Sequence, residues 1–259
     1  MKYNHVFPYL TIKPLLVTDD FKVELDQNGI VLIDVGRSFS NANFISFMKR
    51  IGNLIEETSA VDQKYIEDKF VLNLKTEINS DISMENEPFS VNSLRFHVER
   101  AFADLSKQPN YLALYCINAS PDENGGQTII YPMDKMYRYF SSSDLELMKR
   151  MFPISSDRKI VSQNPILNLD SKRGIEYFSY RDLGTYGTDW FVKKCGEFDD
   201  GAVKSVADKM EWVLSLYENI NALKWMPHYL YIFDNKKYFH GRTEQVRANK
   251  RHLKRIRVL

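Results

Sequence analysis

The sequence predicts a mainly β fold with flanking helices, of barrel or jelly-roll type. Two observations lead there. Short β-like runs recur along the chain, each bounded by turn-forming residues, and the helical patterns between them are few.

The first strand-like run is Gly29–Val35. Ser38 to Asn43 then supplies capping residues for a helix carrying Phe44, Phe47 and Met48, with Gly52 as its stop. Lys69–Leu74 and Tyr111–Ile117 are further apolar runs, and the second ends in the dense turn signal Asn118–Gly126. Thr128–Tyr131 resumes as a strand. Ser143-Asp144-Leu145-Glu146 reads as a capping box for a short helix through Met151. Asp157–Trp190 is mixed and reads as strands joined by a substantial loop. Val203, Val206, Met210, Val213, Leu214 and Tyr217 recur at helical spacing and predict an amphipathic, core-packing helix. His228–Phe233, a turn at Asp234–Lys237, Tyr238–His240 and a last strand from Arg251 to Leu259 close the chain.

A chain of 259 residues, 44% hydrophobic and 27% charged, has an ordinary globular balance and can bury a sizeable core in one domain spanning 1–259. With 35 Lys and Arg against 34 Asp and Glu, nothing in the charge points to nucleic acid as a partner. Cys116 and Cys195 form neither a disulfide framework nor a zinc motif. No secretory signal or membrane-length apolar run is visible, so the expected location is cytoplasmic.

Three elements suggest chemistry. His97-Val98-Glu99 in a strand would place an imidazole and a carboxylate on one face. They are two thirds of a facial triad for Fe(II), a ligand set that leaves coordination positions open; alone, His-X-Glu is more often an ordinary exposed strand or turn. The second element is Leu230–Asn235 leading to Phe239-His240-Gly241-Arg242, in which a lone His is more often a hydrogen-bonded core residue. The third is Arg251 and Arg255, four apart and so on one face of a strand, where guanidinium groups could fork onto carboxylates; the alternative is a solvated basic tail over Lys250–Arg257.

Together, in this order, the elements resemble the taurine dioxygenase superfamily of Fe(II)/2-oxoglutarate oxygenases, and within it the clavaminate synthase-like amino-acid hydroxylases. Phe96–Phe102 followed by Pro109–Cys116 resembles that branch's first-ligand strand and its successor. Asn124-Gly125-Gly126-Gln127-Thr128 resembles its Gly-Gly-X-Thr element. Phe233-Asp234-Asn235 with His240-Gly241-Arg242 resembles its second-histidine segment, and Arg251–Arg255 its closing strand. The resemblance runs from Gly29 to the last residue. It departs in the length of the chain, which is short for the branch, and over Asp157–Trp190.

The resemblance implies a double-stranded β-helix (jelly-roll) core, with His97, Glu99 and His240 as catalytic metal ligands. Arg251 would pair with the distal carboxylate of 2-oxoglutarate, Thr128 would donate a hydrogen bond to it, and Arg255, left unpaired, would hold a substrate anion. The cofactors implied are Fe(II), 2-oxoglutarate as cosubstrate and O₂. The implied partner is a small molecule, an amino acid or close relative, and the implied reaction is its hydroxylation. Glu99 would fill the place that related halogenases leave to chloride, so halide-independent oxidation is expected. Desaturation or cyclisation on the same scaffold, and a non-catalytic jelly-roll binding protein, are the alternatives. His5, His228 and His252 read as structural or surface residues, and Asp170, Glu176 and Asp182 as solvated loop carboxylates.

Overall fold

In a computed structural model of the protein, the described residues are 13–14, 20–36, 38–58, 63–75, 87–121, 125–154, 162, 164–181, 189–192, 200–244 and 251–259. The sequence expectations for Cys195, Asp182, Asn124 and His5 lie outside them. The strands are β1 (Lys13–Pro14), β2 (Ile30–Asp34), β3 (Ile66–Glu67), β4 (Val71–Lys75), β5 (Leu94–His97), β6 (Tyr111–Asn118), β7 (Thr128–Pro132), β8 (Met151–Ile154), β9 (Leu167–Asp170), β10 (Ile175–Phe178), β11 (Asp189–Val192), β12 (Asn221–Leu223), β13 (Tyr229–Asp234), β14 (Tyr238–Arg242) and β15 (His252–Val258). The helices are α1 (Asp20–Asn28), α2 (Asn41–Lys49), α3 (Asp134–Tyr137), α4 (Ser142–Met148) and α5 (Asp200–Leu214).

A seven-stranded sheet runs β1-β2-β13-β6-β15-β4-β3 and a four-stranded sheet runs β12-β7-β14-β5. Among the described strands of these two sheets, only the β1–β2 pair is parallel. The period-2 alternation of a strand explains how the large sheet is covered on both faces. Leu32 of β2, Leu112 and Leu114 of β6 and Phe233 of β13 face the small sheet, whose Ile130, Leu223 and Tyr238 meet them. Their neighbours Val31, Ile33, Ala113, Tyr115 and Ile232 face the other way, onto Phe21 and Leu25 of α1 and Phe44 and Met48 of α2. The outer face of the small sheet carries Phe96, Ile129, Tyr131 and Phe239. It is covered by Leu147 and Met148 of α4 and by Val203, Val206, Met210 and Val213 of α5. Burying each such side chain contributes about 1.5–3 kcal/mol, which is why the two apolar helix faces dock outside and the space between the sheets is enclosed.

Three helices differ in their bounds from the sequence reading. The capping box belongs to Ser141, not Ser143: Ser141 Oγ accepts from Asp144 N–H at 3.1 Å, and Asp144 Oδ2 accepts from Ser141 N–H at 3.0 Å. The helix therefore starts and stops early, and Met151 opens β8. The amphipathic helix ends at Leu214; Tyr217 lies in a following 3₁₀ turn and is 48% exposed. Ser40 caps α2 through its Oγ, as the sequence predicts, but the helix ends at Lys49, before Gly52. In the Asp157–Trp190 region, β9 and β10 form a hairpin whose turn needs the left-handed φ of +65° at Gly174. Asp170 is not solvated: it pairs with Lys236 at 2.7 Å, both nearly buried, and so ties the hairpin to the β13–β14 turn. Glu176 pairs at 3.0 Å with Lys149 on the surface. Cys116 is a buried free thiol. Among the described residues no helix is long and apolar enough to cross a membrane.

A candidate metal centre between the sheets

The antiparallel register of the small sheet sets His240 of β14 directly opposite His97 of β5. Their ring centroids are 4.1 Å apart. Both rings point into the space between the sheets, because Phe96 and Phe239 take the outward positions. Glu99 completes the group, and one ligand atom from each of His97, Glu99 and His240 lies within 4.8 Å of the others. All three residues are buried.

Glu99 does not arrive by a continuing strand. β5 ends at His97, Val98 N–H turns to the Tyr180 carbonyl at 2.8 Å, and Arg100 adopts φ +56°. The carboxylate is positioned by Asn235, which sequence reasoning did not assign. Asn235 Oδ1 accepts from Glu99 N–H at 2.8 Å, and its Nδ2 donates to the Glu99 carbonyl at 3.1 Å. Asn235 is fully buried at the tip of the β13–β14 turn. The same tight turn thus delivers His240 and orients Glu99.

The electrostatics suit a cation. Burial, then the mutual repulsion of the two rings and the charge of Arg181, holds His97 well below its ordinary value. Burial pulls His240 down to about 4. Both imidazoles are therefore neutral at pH 7 and carry a lone pair. His97 Nδ1–H donates to the Arg95 carbonyl at 2.9 Å, which leaves Nε2 as the lone-pair nitrogen. Burial alone would raise Glu99, but Arg255 and Arg257 reverse that and hold it far below the usual carboxylate range. His240 Nε2 sits 3.9 Å from Glu99 Oε2, and His240 Nδ1 is buried without a hydrogen-bond partner among the described residues. Two neutral imidazoles, one carboxylate and an orphaned nitrogen fit a divalent metal of the kind held by two His and one carboxylate.

Arg251 and Thr128 line the same pocket as the three ligands. Arg251 is buried, and its guanidinium has no hydrogen bond or ion pair among the described residues. Burial, aided by Arg242, lowers it to about 9, so it remains charged at neutral pH. Thr128 Oγ1 accepts from Trp225 Nε1 at 3.0 Å, and its own hydroxyl proton stays available to donate. Arg242 is spent on structure and donates to the Pro88 and Asn92 carbonyls at 2.7 and 2.8 Å.

The expectation that Arg255 is unpaired is corrected. Its guanidinium lies 3.3 Å from Glu57 Oε1 and 3.1 Å from Glu99 Oε1. Arg257, on the same face of β15, also contacts Glu57 and reaches Glu99 Oε1 at 3.3 Å. Neither Glu57 nor Arg257 was assigned from sequence. The spacing Arg251, Arg255, Arg257 could have pointed to Arg257, but no local signal marks Glu57, which lies in irregular chain. His228 and His252 stand apart from this centre, as expected: His228 Nδ1 is 3.4 Å from Tyr115 Oη, and His252 Nε2 is 2.7 Å from Asn73 Oδ1.

Comparison with known proteins gives a consistent picture. The family model "Taurine catabolism dioxygenase TauD, TfdA family" matches residues 14–257. A 3-((Z)-2-isocyanoethenyl)-1H-indole synthase from Fischerella ambigua is 24% identical over 186 residues, which cover 68% of this chain and 66% of that protein, a little under two thirds of its length. PvcB from Pseudomonas aeruginosa superposes with a TM-score of 0.67 at 17% identity, covering 92% of this chain and 78% of that one. PvcB is described as an Fe, alpha-ketoglutarate dependent oxygenase from an isonitrile synthetic pathway. Asparagine oxygenase superposes with a TM-score of 0.63 at 17% identity, covering 93% and 77% of the two chains.

Proposed function

The chain belongs to the TauD/TfdA family of dioxygenases, and on that premise we propose that it oxidises a small carboxylate, an amino acid or close relative, using Fe(II), 2-oxoglutarate and O₂. One observation carries the reading: two neutral imidazoles and a carboxylate converge beside a buried arginine that no described residue pairs. His97, Glu99 and His240 would hold Fe(II). The metal, once bound, would let O₂ act as the oxidant, taking two electrons from 2-oxoglutarate, which would become succinate and CO₂ with one oxygen atom, and two from a substrate C–H bond.

The chain's own residues do the placing. Arg251 holds the distal carboxylate of 2-oxoglutarate by a charge-assisted fork, and Thr128 donates a hydrogen bond to it. Leaving either the carboxylate or the guanidinium unpaired in this buried site would be costly, so the pair fixes the cosubstrate's orientation. Leu74, Leu112 and Leu114 line the pocket and exclude water. Arg255 faces the carboxylates of Glu57 and Glu99, and for a substrate carboxylate we assign Arg181, on its place in the pocket. Arg181 lines the pocket, its backbone bridges His97, and its charge is felt by both imidazoles.

Hydroxylation is the first reading, in keeping with the amino-acid oxygenase among the similar folds. The isocyanoethenyl group in the name of the Fischerella relative contains a C=C bond and favours desaturation as the second. A panel of free amino acids and their N-substituted relatives, assayed for substrate-stimulated succinate release with mass analysis of the product, tests both. Gain of an oxygen atom supports hydroxylation and loss of a hydrogen pair supports desaturation. Absence of 2-oxoglutarate turnover by the iron-loaded protein across the panel counts against the proposal.

A further inference from the structure

Beside the metal centre lies a buried cluster of charges. Arg255 and Arg257 face the interior from β15, Glu57 enters from the irregular stretch before residue 59, and Glu99 forms the fourth corner. Glu57 is held by its backbone, whose N–H donates to the Lys69 carbonyl at 2.8 Å, and its side chain is 0% exposed. The two oxygens of Glu99 have different neighbours. Oε1 lies 3.1 Å from Arg255 Nη1 and 3.3 Å from Arg257 Nη1, while Oε2 lies 3.9 Å from His240 Nε2.

We infer that Glu57 is a positioning residue that sets the strength of Glu99 as a metal ligand, by sharing the guanidinium groups of Arg255 and Arg257 with it. The inference rests on the metal assignment above. Two guanidinium groups on one carboxylate oxygen withdraw electron density and compete with any cation on the other oxygen. Glu57 divides that pull. Two arginines and two glutamates make a neutral cluster, which the low-polarity interior favours. Occupation of Oε1 by the two arginines also leaves Oε2, the oxygen nearer His240, as the one that would meet a cation.

Charge balance predicts effects of opposite sign. In Glu57→Gln the pull of both arginines falls more heavily on Glu99, so metal affinity falls. Changing the outer partner of a ligand costs about 10- to 100-fold in metal affinity. In Arg257→Gln, Arg255 remains to serve both carboxylates, and Glu99 becomes the better ligand. The double variant restores neutrality.

The test is calorimetric titration of the full-length apoprotein with Co(II) alone, with the cobalt d–d absorption as a readout of the ligand field. The expected result is about a tenfold or greater loss of affinity in Glu57→Gln, equal or tighter binding in Arg257→Gln, and recovery towards wild type in the double variant. Wild-type affinity in Glu57→Gln overturns the inference, as does a fall in both single variants with no recovery in the double, which would make the cluster a scaffold only. Should Glu57→Gln not fold, Arg257→Gln decides: a tenfold drop overturns the inference. If wild-type protein fails to bind Co(II), the metal assignment itself falls, whereas wild-type binding with an unmoved Glu57→Gln removes only the role of Glu57.

Discussion

Replacing Arg251 by methionine should move stability and cosubstrate binding in opposite directions. Arg251 is 4% exposed, and its guanidinium has no partner among the described residues. Holding an unpaired charge in that position costs the folded apoprotein several kcal/mol. Methionine keeps the length of the side chain and removes the charge, so apoprotein Tm should rise. A chain of this size gains about 2–4 °C for each kcal/mol. Binding of 2-oxoglutarate should suffer, because its distal carboxylate would enter the same buried pocket with no cation to meet it. Breaking a buried ion pair costs about 3–5 kcal/mol, and each 1.4 kcal/mol is about tenfold in Kd, so the loss should be at least about 100-fold. Thermal unfolding of metal-free protein and titration of Mn(II)-loaded protein with 2-oxoglutarate measure the two effects separately. A variant with lowered apoprotein Tm and unchanged 2-oxoglutarate affinity would refute both the burial argument and the assignment.

Gly241→Ala should damage the metal centre from the backbone side, since a Cβ there would stand 2.5 Å from the Leu94 carbonyl, between the strands that carry His240 and His97. We expect a loss of about 1–3 kcal/mol with weakened iron binding; unaltered Tm and iron content would contradict the close approach. His252 is pulled down from 6.5 to about 4 by burial and then by Lys75 and Lys254, so the folded chain binds fewer protons than the unfolded chain between those values. Its contribution to stability is present above pH 6.5 and lost as pH falls towards 4, and His252→Gln should show a shallower decline of Tm over that window; equal slopes would remove the residue from the account.

Strands β2, β4, β6 and β13 of the large sheet were legible because each is a short apolar run whose alternate residues are buried on both faces, whereas β1 and β3, two residues each, carry no such run. The two histidines and Glu99 were legible as residue types in order, but the reason Glu99 converges with them was not. It depends on Asn235, which lies 136 positions away and acts only once β13 and β14 are paired beside β5. Glu57 was invisible for the same reason. Its partners Arg255 and Arg257 lie 198 and 200 positions along the chain, and a lone glutamate in irregular sequence carries no periodic signal. The misread pairing of Arg255 follows directly: sequence places two arginines on one face but cannot count the carboxylates that tertiary packing brings to them. The shift of the capping box by two residues reflects a run of three serines in which only Ser141 adopts the extended backbone of a cap.

The central claim is that His97, Glu99 and His240 together hold one iron. Anaerobic titration of metal-free protein with Fe(II), read as bound metal per chain, tests it most directly in wild type, His97→Ala and His240→Ala. The account predicts one tightly bound Fe(II) per chain in the wild type and none in either variant, with folded variants confirmed by circular dichroism. Stoichiometric iron retained by either folded variant would contradict it.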